Sequence, residues 1–330
     1  MSARARLTRH PYAVTVSALV ASLGLAACSG GSYPETPLPT SSASASPSSS
    51  ATTTAPAPAA CDRATSSYDA LERIPSAASI DDRAMRAIIE RGYLRVGVSA
   101  DSFLLGANNP LTGEIEGFDI DIAKAIAQSL FGDADAIRPV VLTAADRIPA
   151  LQDGRVDLVA RNMTMTCVRW EDIAFSSEYY HAGQKVLVNL ESSARTLEDL
   201  RGQRVCAPTG TTSLAKLREV SGVEVVTAAN HTGCLVLFQQ GRADAITGDD
   251  TVLAGLAAQD PYAKVTDAEA ITDEPYGLGI AKDNVYFVRY VNAVLERLRA
   301  DGGWAKIYNR WLAESLGPAP EPPAPVYGRR

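Results

Sequence analysis

Two segments of the chain resemble each other closely. Residues 151–159 read LQDGRVDLV, and residues 238–246 read FQQGRADAI. Each segment combines a helix end, a glycine suited to the C-cap position and a short apolar strand. The same order of elements precedes each copy, so both halves of the chain read β-α-β-α-β. Strands that alternate with helices predict an α/β protein with mainly parallel sheets covered on both faces.

The repeat predicts two doubly wound lobes. In the first half we expect strands at 94–98, 138–142 and 156–160 and helices at 118–130 and around Ile148; in the second half we expect strands at 204–207, 223–226 and 243–247 and helices after Ser213 and through Leu235. Sheets of this kind bind ligands beyond the carboxyl ends of their strands. Two facing lobes would therefore hold a ligand between their loops.

Two crossings join the lobes. The apolar run 185–190 enters the second lobe, and residues 276–281 leave it. Two strands at the crossing form a hinge that permits closure. The last helices, at 286–299 and 304–312, are expected to return to the first lobe.

The amino terminus has the pattern of an export signal. Arg4, Arg6 and Arg9 precede an apolar stretch at 12–25, which ends in Leu-Ala-Ala-Cys at Cys28. This stretch is shorter than the ~20 residues of a membrane span. Small residues before a cysteine resemble the bacterial lipobox, in which the cysteine becomes the lipidated amino terminus. We therefore predict a signal peptide at 1–27 and a lipid on Cys28.

Composition divides the rest of the chain. Residues 28–60 are rich in Ser, Thr, Ala and Pro and are predicted to form a disordered tether. Residues 61–182 should form the first part of lobe 1, residues 183–275 lobe 2, and residues 276–317 the return to lobe 1. Clustered prolines predict a disordered tail at 318–330.

Charge and composition exclude one class of partner. The formal net charge is -7, so the chain has no basic field for nucleic acid. The hydrophobic fraction of 46% and the charged fraction of 21% are ordinary for a soluble globular protein.

Four cysteines remain once Cys28 is lipidated, and an even number in an exported protein suggests disulfides, with three possible connectivities. Cys206 in a strand and Cys234 in a helix of the same half favour one bridge. Cys61 and Cys167 pair by elimination. A metal site is the rival interpretation, but three histidines and the lack of a paired Cys-x-x-Cys argue against it, and no metal or cofactor is expected.

Residues 161–169 concentrate arginine and threonine at a strand end. Arg161, Thr164, Thr166 and Arg169 lie within this segment. An arginine fork binds a carboxylate bidentately, and a threonine hydroxyl can donate beside it. The pattern therefore predicts a carboxylate site, with a solvated surface turn as the alternative.

Residues 80–316 resemble the solute-binding proteins of polar amino-acid transporters, which have the type II periplasmic-binding-protein fold. Together with the lipobox and tether, the likeness is greatest to actinobacterial glutamine/glutamate-binding lipoproteins. Seven motifs occur in the family's order: 94–98, 117–121, 147–151, 163–169, 175–180, 210–213 and 243–250.

The resemblance implies a set of ligand contacts. Arg169 would bind the α-carboxylate of an amino acid, with Thr164 and a backbone donor at Thr212 beside it. The backbone carbonyl of Asn162 and the carboxylate of Asp249 would meet the α-ammonium. These roles agree with electrostatics, because a buried zwitterion needs a partner of opposite charge at each end.

The resemblance also implies how the ligand side chain is held. Arg147 matches the position that glutamate/aspartate binders use for an acidic side chain, and Arg161 lies at the same strand end. Phe103 could stack on the aliphatic part of the ligand. The alternatives are surface positions for both arginines and a core position for Phe103.

The sequence thus predicts a receptor anchored by lipid on the outer face of the cell membrane. This receptor would be a monomer that delivers L-glutamate or L-aspartate, in preference to the amides, to an ABC permease. One alternative is a sensor lipoprotein that signals through a membrane receptor protein. Another alternative is an enzyme of the cyclohexadienyl dehydratase type. The absence of a nucleophile-base pattern around His181 and His231 argues against this alternative.

Overall fold

The computed structural model describes residues 63–330. The signal peptide, the lipidated Cys28, the tether and Cys61 lie outside the described residues, and these assignments stay predictions. Within residues 63–330, no helix has both the length and the apolar character needed to cross a membrane.

The described part of the chain is a mixed α/β structure. Its strands are β1 (Ser66–Tyr68), β2 (Leu94–Val98), β3 (Asp101–Ser102), β4 (Gly106–Asn108), β5 (Ile115–Glu116), β6 (Ile137–Val141), β7 (Leu158–Val159), β8 (Ile173–Phe175), β9 (Tyr180–Asn189), β10 (Arg204–Pro208), β11 (Glu224–Ala228), β12 (Ala245–Asp249), β13 (Ala263–Val265), β14 (Asp273–Tyr276), β15 (Gly279–Ala281) and β16 (Val326–Arg329). Its α-helices are α1 (Arg83–Arg91), α2 (Phe118–Phe131), α3 (Arg147–Gln152), α4 (Cys167–Asp172), α5 (Thr212–Glu219), α6 (His231–Gln239), α7 (Asp250–Ala257), α8 (Val285–Ala300), α9 (Gly303–Trp311) and α10 (Ala313–Leu316).

The first lobe is built on a five-stranded sheet in the order β6-β2-β7-β15-β8. Strand β2 pairs in parallel with β6 and β7, and β15 joins antiparallel after the chain returns from the second lobe. Helices α8 and α9 pack in the same core as α2, where the rings of Phe118 and Trp304 lie 6.2 Å apart. These two helices therefore pack against the first lobe.

The second lobe is built on a sheet in the order β11-β10-β12-β9-β13. Val205 and Ala207 pack with α5 on one face, and Cys206 packs with α6 on the other. The alternation arises because successive side chains of a strand point to opposite faces. Both predicted β-α-β-α-β units are therefore present.

A disulfide joins Cys206 on β10 to Cys234 on α6, with Cα atoms 5.6 Å apart. This is the bridge that the sequence favoured. The pairing of Cys61 with Cys167 depends on a residue outside the described range and stays a prediction.

The two crossings between the lobes are β9 and β14, which pair antiparallel from Asp273↔Gly183 to Tyr276↔Tyr180. Strand β9 continues into the second sheet, and β14 leads through Gly277 into β15 of the first sheet. Strands β9 and β14 therefore form the hinge that connects the two lobes.

The carboxyl terminus differs from the predicted disordered tail. Strand β16 pairs in parallel with β1, and the Arg329 guanidinium lies 3.6 Å from the ring centre of Trp170. Arg329 also donates to the carbonyl oxygens of Ser66 (3.0 Å) and Arg63 (2.8 Å). The prolines explain why residues 318–325 form no helix or strand. Composition does not reveal that the next residues can pair with β1, which is far away in the sequence.

We expect Arg329→Ala to destabilise the protein because it removes the contact with Trp170 and two hydrogen bonds. A loss of about 1 kcal/mol corresponds to roughly 2–4 °C in Tm for a protein of this size. Arg330→Ala is the matched control, since the exposed Arg330 donates no hydrogen bond among the described residues. Equal melting temperatures of the two variants in a thermal scan would contradict this role of Arg329.

Candidate functional site

The loops after β7, β10 and β12 converge on the cleft between the lobes, with β14 behind them. Gly210 of the second lobe lies against the backbone of the first lobe. Its φ is 77°, and a Cβ atom there would lie 2.7 Å from Cα of Ala145 in the opposite lobe. Only glycine therefore allows the lobes to meet in this closed form.

Arg169 lies in the first turn of α4. Thr166 caps this helix by accepting a hydrogen bond from the backbone N–H of Arg169 at 3.2 Å. The guanidinium is buried and donates from Nη1 to the carbonyl oxygen of Thr164 (2.6 Å) and from Nη2 to that of Gly210 (3.2 Å). Arg169 is thus held in place by backbone of both lobes.

Arg147 is buried beside Arg169, and all its nitrogens donate to carbonyl oxygens. Nε bonds to Ala144 (2.9 Å), Nη1 to both Arg161 and Asn162 (3.0 Å each), and Nη2 to Gly210 (3.2 Å). Burial lowers the pKa of Arg147 well below its usual value, and the neighbouring charge of Arg169 adds to this effect. In this closed form Arg147 connects loops of both lobes.

Arg161 is buried but less engaged. Within the described residues its side chain donates only one hydrogen bond, from Nε to the carbonyl oxygen of Leu142 at 2.7 Å. Burial lowers its pKa, and the carboxylates of Asp101, Asp119 and Asp146 oppose that effect. Its two terminal nitrogens are therefore available for a ligand.

Asn162 has a left-handed backbone with φ of 35°. Its N–H donates to Oδ2 of Asp119 at 2.8 Å, and its carbonyl oxygen accepts from Arg147. The side-chain Oδ1 is buried without a hydrogen-bond partner. An unsatisfied buried acceptor is costly, so this atom suits a donor on a ligand.

Asp249 ends β12 on the wall opposite Arg169. Its Oδ2 accepts from the hydroxyl of Tyr276 at 2.6 Å, and Oδ1 lies 3.4 Å from Oγ of Ser213. Burial raises the pKa of Asp249 to about 7, and the carboxylate of Glu274 adds to the shift. A buried acid of this kind is stabilised by any cation brought next to it.

Thr164 and Thr212 face each other across the cleft with their hydroxyl oxygens 3.4 Å apart. Both donate to Oε2 of Glu274, each at 2.6 Å. The sequence reasoning missed Glu274. The sequence feature that could have indicated Glu274 is the hinge strand, in which Glu274 and Tyr276 are two positions apart and therefore lie on the same face.

His231 was also missed as a site residue. It begins α6, and its Nε2 is buried without a hydrogen-bond partner. A Cβ atom on Gly248 would lie 2.6 Å from this nitrogen. The imidazole therefore fits in this position only because residue 248 is glycine. Burial, together with the charges of Arg161 and Arg147, lowers the pKa of His231 to about 3.

Phe103 is 44% exposed, so it does not occupy the core position that was the alternative. A cavity of about 540 Å³ is lined by Phe103 and Asp101 from the first lobe and by Thr232 from the second. Oγ1 of Thr232 donates to the carbonyl oxygen of Asp101 at 2.9 Å, which makes another contact between the lobes.

The sequence pattern of the bacterial extracellular solute-binding proteins, family 3, matches residues 94–314. This span includes the central sheets of both lobes and every residue of the cleft described above. The chain belongs to this family.

The chain is similar to the ABC transporter glutamine-binding protein GlnH of Bacillus subtilis, with 36% identity over 70% of this chain and 85% of the relative. It is 34% identical to the glutamate-binding protein GluB of Corynebacterium efficiens over 70% of this chain and 81% of the relative. A mutant of ArgBP from T. maritima superposes with a TM-score of 0.65 and 31% identity, covering 70% of this chain and 99% of that structure.

These comparisons establish the type II periplasmic-binding-protein fold. They also establish the broad class: the chain is an amino-acid-binding solute-binding protein of an ABC transport system. The relatives named here are binding proteins by description, which agrees at this level with a protein that is not an enzyme.

The raised pKa of Asp249 predicts a specific pH dependence of the ligand-free protein. Between the usual value of 3.8 and about 7, the folded carboxyl keeps a proton that the unfolded chain has lost, so stability should fall as the pH rises through this window. Asp249→Asn should make this fall shallower, by at most about 1.4 kcal/mol per pH unit. Parallel slopes of unfolding free energy against pH in both proteins would contradict the prediction.

Proposed function

We propose that this protein is an extracytoplasmic, lipid-anchored receptor that binds L-glutamate or L-aspartate in the cleft and delivers it to an ABC permease. The main observation is the pair of buried, opposite charges on facing walls, Arg169 from the first lobe and Asp249 from the second. An amino acid held between them would supply the missing counter-charge to each side.

The α-carboxylate end is assigned to Arg169. Its position at the start of α4 is fixed by the capping hydroxyl of Thr166. The hydroxyls of Thr164 and Thr212 lie beside it, and Thr212 is the first residue of α5, whose N-terminal backbone N–H groups favour an anion.

The α-ammonium end is assigned to Asp249, with the carbonyl oxygen of Asn162 as a second acceptor. Asp249 already accepts a hydrogen bond from Tyr276. Since a carboxylate oxygen has more than one lone pair, the acid can bind an ammonium without losing the tyrosine. The ammonium would also favour the ionised form of Asp249.

The side-chain end is assigned mainly to Arg161 and His231. The free terminal nitrogens of Arg161 support an acidic ligand, and so does the neutral imidazole, whose Nε2 can donate to a carboxylate. Arg147, the position implied by the family resemblance, adds positive charge to the same pocket, and each of its nitrogens already donates to a carbonyl oxygen.

An amide ligand is the second candidate. Oδ1 of Asn162 and Oδ2 of Asp101 are buried acceptors without partners, and either could accept an N–H of glutamine or asparagine. The relatives include glutamine-binding as well as glutamate-binding proteins. A carboxylate ligand would leave these two acceptors unsatisfied, whereas an amide would leave Arg161 without a counter-charge.

Calorimetric titration with glutamate, aspartate, glutamine and asparagine tests the proposal. We expect wild-type protein to prefer the acids and Arg161→Met to lose roughly ten- to a hundredfold in glutamate affinity with little change for glutamine. Arg169→Met should abolish both, since it removes the shared α-carboxylate contact.

Arg155→Met is the matched control, because Arg155 is exposed and remote from the cleft. A wild-type preference for glutamine would show that the buried acceptors, and not Arg161, decide selectivity. Absence of binding for all four amino acids would refute the proposed ligand class.

The anchor is tested separately. Because the predicted lipid is attached at Cys28, we expect Cys28→Ser to abolish lipidation and to release the protein from the membrane fraction. Mass spectrometry of the mature amino terminus, together with fractionation of cells, checks this. A wild-type mature chain that begins upstream of Cys28 would show that the lipobox assignment is mistaken.

A further inference from the structure

Glu274 occupies a particular place in the hinge. It lies on β14 opposite Ala182 of β9, in the pair of strands that connects the lobes. Its side chain is 2% exposed and projects from the same strand face as Tyr276, toward the cleft. A buried carboxylate requires hydrogen-bond donors. Because Glu274 lies where the two lobes join, donors from both lobes would connect the lobes to each other.

The donors to Glu274 come from both lobes. Oε2 accepts from the hydroxyl of Thr164, which belongs to the first lobe, and from the hydroxyl of Thr212, which belongs to the second, each at 2.6 Å. Oε1 accepts from the hydroxyl of Thr272, the residue before β14, at 2.7 Å, and this hydroxyl also lies 3.1 Å from Oε1 of Gln184 on β9. One carboxylate oxygen therefore links the two lobes directly.

These contacts hold the lobes together without an ion pair. Within residues 63–330, Glu274 forms no salt bridge. Its negative charge partly offsets the effect of burial, which lowers the pKa of Arg169. Hydrogen bonds to an ionised acceptor are stronger than neutral ones. When the lobes separate, water can replace Thr212 at Oε2, so the contact favours closure without making it irreversible.

The same hydroxyls are assigned to the ligand under the proposed function. Each threonine hydroxyl has a single proton, and in this closed form both protons are directed to Glu274. Contacts among the protein's own residues therefore satisfy both hydroxyl donors in this arrangement of the lobes. A protein that closes in part before ligand arrives binds by selection of an existing state.

We propose that Glu274 is a latch between the lobes: a hinge carboxylate that binds one hydroxyl from each lobe and sets the fraction of ligand-free protein that is closed. The latch consists of Glu274, Thr164 and Thr212. It goes beyond the proposed function, because it concerns the protein without ligand and does not depend on which amino acid binds.

Small-angle scattering of the ligand-free protein tests the latch. We expect Glu274→Ala and Thr212→Val each to increase the radius of gyration relative to wild type. Thr272→Val is the matched control: it removes a hydrogen bond to the same carboxylate but connects no second lobe, so the radius should not change. Thr212→Val is nearly isosteric and keeps the buried carboxylate, and therefore it answers the question even if Glu274→Ala does not fold.

An unchanged radius in Thr212→Val would overturn the proposal, and so would a ligand-free wild type that is already as open as the variants. A larger radius in all three variants, the control included, would also overturn it, because the effect would then come from damage to the hinge.

Affinity gives a second measurement, which rests on the proposed function. If the closed fraction falls tenfold, the apparent Kd for glutamate should rise about tenfold in Glu274→Ala. A tighter Kd would overturn the latch, because Glu274 would then act mainly as a competitor of the ligand carboxylate. If wild type does not bind glutamate, the proposed function fails, and the ligand-free scattering still decides on the latch.

Discussion

The carbonyl oxygen of Gly210 is the point on which the closed cleft depends. It accepts hydrogen bonds from Nη2 of both Arg147 and Arg169, at 3.2 Å each. A Cβ atom at this position would collide with Ala145, so the approach is possible only because the residue is glycine. Both arginines of the first lobe are buried, and each donates to this acceptor of the second lobe. The contact therefore joins the two lobes through buried groups.

Closure also brings buried charges of both signs together. Arg147, Arg161 and Arg169 come from the first lobe, whereas Asp249 comes from the second and Glu274 from the hinge. The charges are satisfied largely by carbonyl and hydroxyl groups, as the contacts of Arg147 and Glu274 illustrate. These acids and bases do not form direct ion pairs with one another. Their charges can therefore interact with both ends of a zwitterion.

Much of the fold could be predicted from local pattern. The glycine at each helix end and the apolar strand after it occur in both halves, and these features depend on neighbouring residues alone. The Cys206–Cys234 bridge followed from placing both cysteines in one lobe. The carboxyl-terminal strand could not be predicted in this way, because Val326–Arg329 become a strand only through pairing with β1, and a short segment carries no record of a distant partner.

The sequence by itself determined the elements, the lobes and the cluster from Thr164 to Arg169, because the residues of this cluster are close together along the chain. Only the tertiary structure decided which residues share the cleft with them. Glu274 meets Thr164 across 110 positions and Thr212 across 62. His231 reaches the cleft because Gly248, on a different element, leaves space for its ring. Burial, unsatisfied acceptors and shifted pKa values depend on contacts between residues that are far apart in the sequence, so a local sequence pattern does not predict them.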